Sequence, residues 1–135
     1  MNTYFKIICF SLLITGLPQL LFAADSTESG TQPNYMVLNG GWQRTDGGYL
    51  LKVTDVQTDG KVTVEYFNPK PIHVEQAEIT TQKGLIKLFV KLRDTGYEGS
   101  TYTLYYYEEK DALAGFYYQA TLEKTYKVIF MRNTN

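Results

Sequence analysis

The chain has 135 residues, with 13 basic and 14 acidic side chains and a formal net charge of −1. That balance gives no electrostatic reason to expect nucleic acid or an anionic membrane as partner. One histidine and one cysteine are too few for a zinc-type ligand set, so no metal or other cofactor is expected. The excess is aromatic, with 12 tyrosines against a single tryptophan.

At the start of the chain, Lys6 precedes the apolar run Ile7 to Ile14, Gly16 and Pro18 interrupt it, and Leu20 to Ala24 lead into Asp25. A positive start, an apolar core and a small residue at the end predict a cleavable signal peptide over 1–23, cut after Ala23. The apolar core is shorter than the ~20 residues a spanning helix needs, so no integral membrane segment is expected after processing. The expected address is the periplasm or the exterior. Cys9 leaves with this segment, so the exported chain must hold its fold without a disulfide. Residues 24–34 are polar and predict a flexible leader. Residues 35–135 are enough for one domain and too few for two.

Eight strands are expected over 36–44, 49–57, 61–68, 72–80, 85–92, 100–108, 112–119 and 124–132. The breaks between them carry turn chemistry. Asp46-Gly47-Gly48 and Asp59-Gly60 are hairpin signals. Pro69 and Pro71 interrupt a ladder because proline has no amide donor. Val62, Val64 and Tyr66 alternate with Lys61, Thr63 and Glu65, and Ile86, Leu88, Val90 and Leu92 alternate with Lys87, Lys91 and Arg93. A period of two with one apolar side places one face on a core and the other in water. Short strands with tight connections pair in sequence, and closing them removes exposed edges. The expected fold is all-β: an eight-stranded antiparallel up-and-down meander barrel, with a two-sheet β-sandwich as the alternative.

The catalytic inventory is thin. Ser100 is the only serine outside the leader and signal, and nothing in the sequence brings it to His73. Asp94, Glu98, Glu108, Glu109 and Asp111 fall at strand ends and loops, where a pair could flank a sugar but charged loops also keep a barrel soluble. No catalytic residue is assigned, and a hydrolase using these loop carboxylates ranks below the binding readings. The tyrosines are the better binding candidates. Tyr102, Leu104 and Tyr106 share one phase, Tyr66 continues the phase of Val62 and Val64, and Tyr117 shares a face with Gln119. Inward hydroxyls inside an apolar barrel can orient a small ligand, or they can fill the interior and bond to one another.

The run Gly40-Gly41-Trp42 on the first strand and Arg132 on the last resemble the lipocalin branch of the calycin group. That resemblance implies that the arginine packs across the tryptophan at the closed end of a barrel. The order Gly40-x-Trp42, Gly47, Asp59-Gly60 and Tyr66 is similar to the first two hairpins of a streptavidin-type chain. Avidin-type proteins wall their biotin pocket with several tryptophans. Here only Trp42 exists, and Arg44 and Gly48 stand where small polar contacts would be expected, so biotin binding does not carry over. The stretches Tyr66 to Ile72 and Gly99 to Tyr106 look like those of small exported bacterial proteins, which implies an address and no activity.

The sequence therefore predicts an exported, non-catalytic protein holding a small apolar or amphipathic ligand, with Tyr66, Tyr102, Tyr106, Tyr117 and Gln119 as ligand-binding residues. Trp42 and Arg132 would be a structural latch. The alternative is a ligand-free interaction module that engages a protein or an envelope polymer through the outward Tyr105, Tyr107 and Tyr118.

Overall fold

A computed structural model describes residues 30–135. The expected signal peptide and most of the expected leader lie outside the described residues. A short 3-10 helix, Tyr35–Leu38, leads into nine antiparallel strands. These are β1 (Gly40–Arg44), β2 (Leu50–Thr54), β3 (Thr63–Asn68), β4 (Lys70–Ile72), β5 (Val74–Gln82), β6 (Leu85–Leu92), β7 (Thr101–Tyr107), β8 (Ala112–Gln119) and β9 (Lys124–Asn133). They form one sheet in the order β4-β3-β2-β1-β9-β8-β7-β6-β5. Consecutive strands pair except β4 and β5, and β1 meets β9, which makes an up-and-down barrel compatible with the calycin-like shape.

The barrel is nearly closed, and its seam explains why there are nine strands and not the eight expected. The expected strand 72–80 is broken at His73. Before the break β4 pairs with β3, and after it β5 pairs with β6, with a register shift between Val74 and Gln76. Pro71 opposes Phe67 in the short outermost ladder, a position that tolerates a missing donor. His73 sits at the corner, where its backbone N–H donates to Asp94 Oδ2 at 2.7 Å. At the other end of the seam, Ile79 N–H donates to Gly60 O at 2.9 Å, and Lys61 bridges to Glu78. Gly60 permits this approach. Its φ is +89°, and a Cβ there would lie 2.0 Å from Ile79 O.

The first expected strand also starts later than predicted, because residues 35–38 wind into the 3-10 helix before β1. The remaining strands fall where alternation placed them, and 112–119 coincides with β8. Inward positions carry the core: Trp42, Leu51, Val53, Leu88, Val90, Leu104, Leu113 and Phe130 are all essentially inaccessible. These side chains pack the middle of the barrel, where burial of apolar area is the main stabilising term.

Candidate functional site

The two ends of the barrel are built differently. At the end that holds the 3-10 helix, Trp42 and Arg132 are register partners across β1 and β9. The Arg132 guanidinium lies 4.2 Å from the centroid of the Trp42 ring, the expected latch geometry. The pair also satisfies the carbonyls at the helix C-terminus. Trp42 Nε1 donates to Leu38 O at 2.9 Å, Arg132 Nη2 to Val37 O at 2.7 Å, and Arg132 Nη1 to Asn39 O at 2.8 Å. Asp111 grips the same guanidinium through both carboxylate oxygens. Those hydrogen bonds hold the Asp111 carboxyl below its usual range.

Tyr106 belongs to this end. Its ring meets Trp42 edge-on at 6.1 Å, and its hydroxyl donates to Asp111 Oδ1 at 3.0 Å. It therefore stands apart from the other four tyrosine and glutamine candidates, although it shares the phase of Tyr102. Two inward residues four positions apart on a short strand point to opposite ends of the barrel.

The other end is an open mouth ringed by the β1–β2, β3–β4, β6–β7 and β8–β9 connections. It holds a hollow of about 370 Å³ lined by Arg44, Tyr49, Tyr66, Asn68, Tyr97, Tyr117, Gln119 and Tyr126, together with Gly96. Of the expected ligand-binding residues, Tyr66, Tyr117 and Gln119 line this hollow, and Tyr102 forms the buried layer beneath them. The rings pack in series. Tyr102 stacks on Tyr117 at 4.6 Å, Tyr117 faces Tyr126 at 6.4 Å, and Tyr66 meets Tyr97 edge-on at 6.3 Å.

Arg44 is the residue that changes the chemistry of this mouth. Its side chain is only 10% exposed. The guanidinium lies 3.9 Å from the Tyr49 ring centroid, and Nη1 donates to the Tyr102 hydroxyl at 3.1 Å. Nε and Nη2 reach the two oxygens of Asp46 at 2.5 and 3.0 Å. Burial alone would lower the guanidinium pKa. The hydrogen bonds and charge of Asp46 and Tyr102 outweigh burial and raise it, so Arg44 stays charged. Burial pushes the Tyr102 hydroxyl up to about 12, against the lowering pull of Tyr66 and Arg44. Tyr66 is raised further, mainly by burial. Both hydroxyls therefore remain protonated at neutral pH.

The direction of the Arg44–Tyr102 hydrogen bond follows. Arginine can only donate, so the Tyr102 oxygen accepts from Arg44. The Tyr102 and Tyr66 hydroxyls share a hydrogen bond at 3.0 Å in which either can donate. Asn68 Nδ2 donates to the Tyr97 hydroxyl at 2.6 Å. The lining contains no carboxylate.

Sequence reasoning did not assign Arg44, Tyr49, Asn68, Tyr97 or Tyr126 to the site. Arg44 and Asn68 had a usable signal, since each stands two positions beyond an inward residue, Trp42 and Tyr66. Tyr97 lies in an irregular loop with no periodicity to read.

His73, Asp94, Glu98 and Ser100, considered for catalysis, make local structural contacts. Asp94 Oδ1 lies 2.8 Å from His73 Nδ1, and the same carboxylate binds the His73 backbone. Ser100 is fully buried, and its Oγ accepts from Ala120 N–H at 3.1 Å. Glu98 accepts from Gly96 N–H within its own loop. Larger depressions, of about 580, 610 and 410 Å³, are lined by Leu50 to Asp55, by Tyr106 to Lys110, and by Gln43 to Thr45 with Met131 to Asn135. None of them gathers a stack of rings, so the mouth is the stronger site. Among the described residues, no cluster of side chains could hold a metal. In comparisons with known proteins, no family model, no curated protein and no solved structure matches the chain, so the case for a function rests on the geometry of this mouth.

Proposed function

We propose that this chain is a non-catalytic binding protein that holds a small amphipathic molecule at the open mouth of its barrel. The observation that carries this reading is the hollow of about 370 Å³ where stacked tyrosines, two amide side chains and Arg44 converge. Its size is at the lower end of the ~300–1,000 Å³ typical of small-molecule pockets. The packed core below it limits the ligand to the mouth, in place of the deep apolar chamber that a calycin-like barrel can also provide. The rings supply apolar area, and the hydroxyls and amides fix orientation. Export to the periplasm or exterior, read from residues 1–23, is part of the same proposal. The test is amide and side-chain NMR of the labelled protein against a library of small amphipathic compounds. Shifts at Tyr97, Tyr117 and Gln119 with an unmoved Trp42 indole signal are the expected result. Hits that leave the mouth unmoved would overturn the reading.

A second reading is favoured by a different observation. On the outer face of β7 to β9, Tyr107, Phe116, Tyr118, Ile129 and Met131 are each 37–47% exposed. Register places Tyr107 opposite Ala112, which opposes Met131 in turn, so these residues adjoin across the strands. Such a face suits a protein partner. Phe116→Ser with Ile129→Ser should abolish partner capture while leaving ligand shifts at the mouth unchanged.

A further inference from the structure

The mouth is rich in hydrogen-bond donors and is lined by no carboxylate. Tyr66 and Tyr97 bring hydroxyls to the hollow, Gln119 adds an amide, and Arg44 keeps spare N–H groups. Of its five donors, one goes to Tyr102 and two go to Asp46. A site rich in protons and lined by no carboxylate selects a ligand rich in acceptor oxygens.

Among the described residues, the one acid bonded to Arg44 comes from an exposed turn. Asp46 lies at the tip of the β1–β2 hairpin, just before Gly47-Gly48, and its side chain is 56% exposed. It does not line the hollow. Among the described residues its carboxylate bonds to no side chain other than Arg44. Its grip is bidentate, the geometry in which a guanidinium takes any carboxylate. The Arg44 side chain, in contrast, is held in place by Tyr49, Tyr102 and the strand itself.

We infer that Asp46 is a resident stand-in for the ligand, and that the mouth takes a small aromatic carboxylate whose acid group replaces Asp46 on Arg44 while its ring lies against Tyr117 and Tyr126. This inference rests on the mouth-binding reading and gives it a chemical class. The exchange keeps one carboxylate on one guanidinium, so it leaves no buried charge uncompensated. The hairpin tip swings outward on Gly47-Gly48, and the Asp46 carboxylate becomes fully hydrated. The Asp46 side of the pair is open to water, which competes for its carboxylate, so a ligand that adds ring stacking to the same pairing wins the exchange.

The test uses 4-hydroxyphenylacetate and its neutral counterpart 4-hydroxyphenylacetamide, titrated into the whole protein and read by NMR shifts at Gln119, Tyr117 and the Gly47-Gly48 amides. The acid should bind at least ~10-fold more tightly than the amide, consistent with a charge-assisted pair. Asp46→Asn should tighten the acid by roughly fivefold, because the internal competitor is gone, and should leave the amide unchanged. Arg44→Gln should erase the preference for the acid. Arg44→Lys is the folding control, and it should keep part of that preference. Equal binding of acid and amide in the mouth would overturn the carboxylate inference while the mouth-binding reading stands. Tighter amide binding in Asp46→Asn would overturn the exchange, since the tip would then be blocking the mouth sterically. No shift with either compound up to ~10 mM, an affinity weaker than ~3 kcal/mol, would count against both readings.

Discussion

Replacing Arg132 by methionine tests the closed end of the barrel directly. The guanidinium donates to Val37 O and Asn39 O, pairs with Asp111 and lies over Trp42. Its side chain is 26% exposed, so each bond from the charged group to a carbonyl is taken at the low end, about 1 to 1.5 kcal/mol. The contact with the indole adds about 1 kcal/mol. The ion pair with Asp111, whose side chain is 44% exposed, adds about 0.5 kcal/mol. Methionine still covers part of the ring and returns about 1 kcal/mol of apolar contact. The net loss is about 3 kcal/mol, which for a domain of about 100 residues lowers Tm by about 12 to 24 °C. Trp42 is the only tryptophan and is fully buried, so its fluorescence during urea unfolding reports this end of the barrel. Arg132→Lys keeps the charge and loses the fork that spans two carbonyls, so it should recover roughly half the deficit. A loss below about 1 kcal/mol in Arg132→Met, with an unchanged denaturant slope, would refute the claim that this side chain holds the helix to the barrel.

Three further outcomes are expected. Gly60→Ala forces a Cβ to within 2.0 Å of Ile79 O at φ +89°, so it should open the seam at a cost of about 2 to 4 kcal/mol; amide exchange at Ile79 should speed up, and protection there equal to wild type would contradict the closure. Asp46 and Asp111 are held below their ordinary carboxylate value of 3.8 by hydrogen bonds from Arg44 and Arg132. Their contribution is therefore complete above about pH 4 and is lost as pH falls through the folded values, and a urea midpoint that stayed flat from pH 5 to pH 2.5 would refute this. Tyr66 and Tyr102 hold their protons above the ordinary value of 10.0, so that part of the stability is present below pH 10 and lost as pH rises past it; ultraviolet titration should show a late fraction of tyrosines ionising only with unfolding.

The regular half of the fold was legible because alternation is a local signal. The pattern of Ile86, Leu88, Val90 and Leu92 fixed β6 and its inward face without reference to anything distant, and Val64 and Tyr66 did the same for β3. The Trp42–Arg132 contact was implied only by the resemblance of Gly40-Gly41-Trp42 and Arg132 to the lipocalin branch, since no local pattern links residues ninety positions apart. The break at His73 was not legible, because it depends on which neighbour each half of the segment joins. The backbone bond from His73 to Asp94, 21 residues away, marks that corner and leaves no periodic trace. The site divides in the same way. Tyr66, Tyr117 and Gln119 were found from phase alone, but phase gives the face and not the height, so Tyr106 was grouped with a mouth it does not touch. Arg44 was passed over because an inward arginine conflicts with the apolar pattern, and its compensation by Asp46, Tyr102 and Tyr49 exists only in three dimensions.

The place of β9 has a consequence for how the molecule comes into being. Lys124–Asn133 lies between β1 and β8, so the final strand completes two ladders at once and joins the half of the sheet made by β1 to β4 to the half made by β5 to β8. A growing chain that still lacks this strand has neither Arg132 for the helix carbonyls nor a neighbour for the free edge of β1. It can form hairpins, but it cannot form the cylinder. Pairing between such distant segments is slow, so closure of the cylinder waits for the last ten residues of sheet to be made.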